Sequence, residues 1–195
     1  MIDTLWSYGT LLYRLYGYRS IYKATGDHDA SRIPSLLEAV YQCGSVCIKF
    51  CQWMIPIMEI MYIEENKLFD LRYDTPSWIQ RLKRVYEECP EHSLAHTYSS
   101  YKKAFSRSFT EDYRNLGCIG SGSIGQVYKI QDIRSDRIYA MKVLHPKIDR
   151  DIWLFEGLYR VIHGIACMYY RCHSLVPFNV PNFIRIFKEQ SDFVR

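Results

Sequence analysis

The run Gly120-Ser121-Gly122-Ser123-Ile124-Gly125-Gln126-Val127-Tyr128-Lys129, followed after a short variable stretch by Tyr139-Ala140-Met141-Lys142, holds the residues best suited to chemistry. Three glycines in six positions form a turn free of Cβ atoms, where main-chain N–H groups can approach phosphate oxygens closely. Val127, two residues on, would cover an adenine face. Ile138, Ala140, Lys142 and Leu144 alternate with Tyr139, Met141 and Val143, which predicts a strand. Arg134-Ser135-Asp136 reads as the turn joining it to a strand over Gln126–Ile130. Lys142 would then carry its ammonium into the same cleft as the loop, near the α- and β-phosphates of ATP. The expected nucleotide set is Gly120, Ser121, Gly122, Ser123, Gly125, Val127, Ala140 and Lys142, with Lys142 as the phosphate anchor.

Other glycine loops fit less well. A dinucleotide fingerprint needs its third glycine to open a helix and an acidic residue about twenty positions later. Here Gly125 opens the strand-like Gln-Val-Tyr-Lys-Ile, and the later landmark is Lys142. A Walker loop would end in Gly-Lys-Ser/Thr, which this segment lacks. The spacing of loop, valine and lysine is that of kinase-like folds.

The elements that must position these residues follow from the rest of the chain. Of its 195 residues 48% are hydrophobic and 17 are tyrosines, enough for a buried core in one domain or two small ones. The formal net charge is +4 with no dense basic run, which argues against a nucleic-acid partner. Met1–Ser20 carries Asp3, Arg14 and Arg19 and no clean apolar stretch, so the seven cysteines read as reduced thiols of an intracellular protein. Leu11, Leu12 and Leu15 beside two arginines raise a mitochondrial presequence as an alternative, against which Asp3 and the many tyrosines stand.

Residues 1–34 read as a helical or half-ordered segment ending in the turn Gly26-Asp27-His28-Asp29. Residues 35–110 read as a helical extension, and residues 111–195 as a partial lobe with antiparallel strands and helices. In the extension, Ser35–Met61 predicts one long apolar helix with Pro34 at its start. Its central span holds one charge, Lys49, whose placement at mid-bilayer would cost about 2.5–3.5 kcal/mol. Together with Gln42, Gln52 and Pro56 this favours burial against protein over a membrane crossing. Short helices are expected over Trp78–Glu88 and Tyr98–Phe109. A long one follows from about Asp149 to Tyr170, with Ile152, Phe155, Leu158, Ile162, Ile165 and Tyr169 at helical spacing. Val176–Val180 is expected as a linker and Asn182–Arg195 as the start of a last helix.

In these pieces the chain resembles the UbiB/aarF-like family of atypical protein kinases, over most of residues 36–195. Gly44–Gln52 is similar to the family's KxGQ helix, with Lys49 and Gln52 matching and Cys51 in the place of the glycine. Gly122–Lys129 carries the family's Gln126-Val127 pair, and His145-Pro146-Lys147-Ile148 fits the segment after the strand lysine. Glu189–Arg195 resembles the ExD segment, with Glu189 and Asp192 as its acidic residues and Gln190 where the glutamate is expected. The resemblance implies an α+β kinase-like N-terminal lobe behind a helical extension, ATP as ligand, and a link to ubiquinone or other isoprenoid-lipid metabolism at a membrane. It also implies that Lys49 and Gln52 cover the site and restrain ordinary kinase activity. The loop here is glycine-rich where many members carry alanines. In the family the lysine's glutamate partner stands four residues beyond the aspartate aligned with Asp192, one position past Arg195. The catalytic-loop and Mg²⁺-binding aspartates belong to a C-terminal lobe. The expectation for these 195 residues is therefore nucleotide binding without phosphoryl transfer, Mg²⁺ entering only with such a lobe. The alternative is a catalytically dead adaptor, binding a protein partner or a membrane surface through the helical extension or the open face of the lobe.

Other clusters read as structural. Cys43, Cys47 and Cys51 recur every four residues along one helical stripe, which suits burial better than tetrahedral zinc. Cys89, His92 and His96 have ligand-type spacing but no fourth ligand, and His92-Ser-Leu-Ala-His96 lacks a zincin's glutamate. No metal is expected. Glu156, a conceivable partner for Lys142, reads as part of a solvated helix face.

Overall fold

The computed structural model describes residues 2–25, 30–65, 75–170 and 179–192. The elements run α1 (Ile2–Thr25), α2 (Ile33–Gln42), α3 (Ser45–Glu65), α4 (Ser77–Leu82), α5 (Leu94–Phe105), α6 (Phe109–Asp112), β1 (Tyr113–Ser121), β2 (Gly125–Asp132), β3 (Ile138–Leu144), α7 (Ile148–Tyr170) and α8 (Val180–Ser191). The architecture is α+β. The expected turn at 26–29, the last residues 193–195 and most of the expected linker lie outside the described residues, while Val180 belongs to α8.

The long helix expected over Ser35–Met61 is two helices. Gly44 interrupts it with φ +91°, and a Cβ at this position would collide with the Asp151 carboxylate at the start of α7. Only glycine meets both demands. The apolar pattern runs through the break because both helices bury the same kind of face, with Leu37, Val40, Cys43, Val46 and Cys47 all inside. The segment expected as one helix over Trp78–Glu88 is α4 and a turn of 3-10 helix at Lys83–Tyr86. The Tyr98–Phe109 segment likewise divides, α5 beginning earlier under a Ser93 cap and ending at the left-handed Ser106.

The sheet is an antiparallel meander in the order β1-β2-β3. Val127 pairs with Lys142, Lys129 with Ala140 and Gly125 with Leu144, so these six share one face. Gln126, Tyr128, Ile130, Met141 and Val143 share the other. The turn after β2 is closed by Asp132, whose carboxylate accepts from the N–H groups of Arg134 and Ser135 at 2.8 Å, with Asp136 at φ +60°.

Two cores result. The smaller sits under the sheet, where Tyr101 and Phe109 of α5 and α6 pack on Tyr128 and Ile130. The larger is made by α1–α4 with α7 and α8, and Phe50, Trp53, Phe155 and Phe183 form its aromatic centre at ring separations of 5.1–5.9 Å. Ile124, from the turn between β1 and β2, inserts into this larger core. By length and composition α3 could cross a membrane, yet Val46, Cys47, Ile48 and Ile55 are buried in the core and Ile60 and Met61 are exposed.

Candidate functional site

The glycine-rich turn is held from three sides. Gly122 N–H donates to Gly125 O at 3.0 Å and closes the turn on itself. Ser123 Oγ donates to Gln52 Oε1 at 3.0 Å, while Gln52 Nε2 donates to Val85 O at 2.9 Å. Ser121 Oγ donates to Pro90 O at 3.0 Å. Ser123 and Ile124 retain only 6% and 9% of their exposure, so the tip of the loop faces the helical extension and not solvent.

The glycines differ in what they do. A Cβ on Gly125 would come within 2.5 Å of Val143 O, so the pairing of β2 with β3 demands glycine there. Around Gly120 a Cβ would meet nothing, and at Gly122 only an ordinary contact at 3.7 Å. Neither has a positive φ. The fold itself makes no demand for glycine at these two positions.

Lys142 and Ala140 are exposed on the sheet face they share with Val127. They line a mostly apolar cavity of about 670 Å³ along β3, whose lining also includes Tyr101 and Phe105 of α5, Asp149 and Ser191. No residue of Gly120–Gly125 lines that cavity, so the lysine and the loop tip occupy separate surfaces in this conformation. Asp192 lines an adjoining cavity that shares Leu144, Asp149 and Ser191 with the first. Glu189 forms an exposed ion pair with Arg185 at 2.7 Å. Lys49 and Gln52 do share a face, in a cavity with Trp53, Tyr86 and Gln190, which brings the KxGQ-like and ExD-like segments together. Glu156 bonds Lys188 of α8 at 3.1 Å and Arg160 at 2.6 Å, which hold its carboxyl below the ordinary range. It clamps α7 to α8.

Gln126 and the histidines His92, His96 and His145 complete the site. Gln126 is 2% exposed; its Oε1 accepts from His92 N–H at 2.9 Å and its Nε2 donates to Cys118 Sγ at 3.2 Å, fixing β2 to the segment before α5. His92 Nδ1 lies 2.8 Å from His145 Nδ1, and His145 Nε2 donates to Gly122 O at 2.7 Å. His96 Nε2 donates to Leu144 O at 3.0 Å. Burial, with the neighbouring imidazoles, pushes His92 down from 6.5 to about 4 and lowers His145 as well. Sequence spacing joined His92 to His96 but gave no sign of the contact with His145, 53 residues from His92. Among the described residues no three side chains of His, Cys, Asp and Glu are arranged to hold a metal ion. Cys43 and Cys47 are buried, with Cys51 beside them; burial pushes Cys51 up to about 12, and a hydrogen bond with Cys43 raises Cys47.

The chain matches no known protein family, no curated protein and no solved structure.

Proposed function

We propose that this chain is an ATP-binding, kinase-like N-terminal lobe with a helical extension, of the UbiB/aarF-like type. The observation that carries the proposal is the pairing of Val127 with Lys142. It puts Val127, proposed to cover adenine, on the same sheet face as the exposed Ala140 and Lys142, the lysine being the proposed phosphate anchor. Gly120 and Gly122 support it, since close approach of a ligand is a reason for glycine where the fold supplies none. Nucleotide would enter between that face and the turn, and the turn would have to leave Gln52 to reach the phosphates. Phosphoryl transfer is not proposed for these residues alone, because the metal-binding and catalytic-loop aspartates of the kinase mechanism have no counterpart among them.

Titration of the purified chain with ATP and with ADP by calorimetry tests this. Saturable binding that Lys142→Ala weakens at least tenfold in a folded variant supports the proposal. Binding that is absent, or indifferent to Lys142→Ala, refutes it. One observation favours the adaptor alternative: the turn is already satisfied by Gln52, Pro90 and Gly125 without a ligand.

A further inference from the structure

We infer that His145, held in a single tautomer by His92, is a positioning residue that sets the conformation of the glycine-rich turn through the Gly122 carbonyl. The bond order can be followed atom by atom. A carbonyl only accepts, so His145 Nε2 carries a proton, 2.7 Å from Gly122 O. In the neutral ring Nδ1 is then an acceptor. His92 Nδ1, 2.8 Å away, must donate to it. His92 Nε2 lies 3.0 Å from Thr97 Oγ. The Thr97 hydroxyl donates to the Tyr128 hydroxyl at 2.9 Å. Two hydrogen bonds therefore run in one direction, from His92 through His145 to the turn. Neither imidazole can reverse while the pair is neutral and the Gly122 bond is kept.

One added proton is accommodated differently. It would sit on His92 Nε2, which then donates to Thr97 Oγ, with every bond kept. A second would set N–H against N–H. The groups facing the pair are His96, Glu91, Tyr41 and Asp151, which line a cavity of about 300 Å³ with it, and Ser121 at 3.5 Å from His145 Nε2. His145 follows Leu144, the last residue of β3, and its own N–H donates to Ile124 O at 3.0 Å. The histidine thus grips the turn at two successive points from the strand that carries Lys142. The consequence for nucleotide affinity rests on the function proposed above; the positioning itself does not.

The test is the tautomeric state of the wild-type chain, read from long-range ¹H–¹⁵N correlations of the imidazole nitrogens near pH 7.5. Free imidazole favours the Nε2–H form, so the expected Nδ1–H form of His92 beside an Nε2–H His145 is diagnostic. An Nε2–H His92 overturns the inference without any variant. His145→Ala should accelerate amide exchange at residues 122–125. His145→Gln, whose Nε2 can still donate to Gly122 O, should restore protection. If ATP binds the wild type, His145→Ala should weaken it by about 3- to 10-fold and His145→Gln by less. Equal exchange rates in His145→Ala and wild type would overturn the positioning role. Absence of ATP binding in the wild type would overturn the proposed function, while the tautomer and exchange results still decide this inference.

Discussion

The Gln52 side chain of α3 accepts a hydrogen bond from Ser123 at the tip of the glycine-rich turn, at 3.0 Å and across 71 residues of sequence. The same amide donates to Val85 O, so one glutamine joins the helical extension, the 3-10 turn and the loop. A Gln52–Ser123 double-mutant cycle, with Gln52→Ala and Ser123→Ala, should show a coupling of about 0.5–1.5 kcal/mol in chemical denaturation. Gln52→Ala alone should cost more than Ser123→Ala, because it also removes the bond to the Val85 carbonyl. Additive effects would mean that the bond is not formed in solution.

Glycine substitutions separate fold from ligand. Gly125→Ala places a methyl against Val143 O and should lower stability by about 1–3 kcal/mol. Gly120→Ala should leave the thermal midpoint unchanged and lower ATP affinity. The two melting curves, with calorimetry on Gly120→Ala, are the measurement.

Acid should destabilise the protein above the range in which carboxylates titrate. His92 and His145 both have folded-state values below the ordinary 6.5. The unfolded chain therefore binds protons that the folded chain refuses, and stability rises with pH. Their contribution is full above about pH 6.5 and is lost as the pH falls toward about 4, where His92 itself charges. Asp151, raised by burial, acts in the opposite sense at lower pH, as its proton is held longer in the fold. Denaturant midpoints between pH 7.5 and 5 should decline. His92→Gln should flatten the decline.

Thiol labelling should be graded. Cys118 and Cys167 are exposed, whereas Cys43, Cys47 and Cys89 are buried. Under native conditions at pH 8 the first two should react with a maleimide orders of magnitude faster than the other three, as read by mass spectrometry. Rapid labelling of Cys47 would mean that α3 does not pack as described.

What could be read from the chain alone was governed by distance along it. The alternation through Ile138–Leu144 and the turn at Arg134-Ser135-Asp136 are local, and the structure has the strand and the turn there. The spacing of Lys49 and Gln52 likewise placed them on one face. The break at Gly44 was invisible because its reason is the carboxylate of Asp151, far along the chain. A glycine in an apolar run reads as tolerated in a helix until its neighbour is known. The burial of Ser123 and the His92–His145 contact have the same origin. Each is a tertiary pairing of residues whose own surroundings in sequence carry no periodic signal.

The two outer strands of the sheet are unlike. β1 departs from regular register twice, between Asn115 and Gly117 and between Cys118 and Gly120, whereas β3 pairs with β2 without a slip. Bulges bend and twist a strand and make its free side a poor template. The meander therefore has a direction of growth: a further strand, from whatever source, would be admitted beside β3 and refused beside β1. It would then lie against the lysine side of the sheet, and the glycine turn would stay at the closed end.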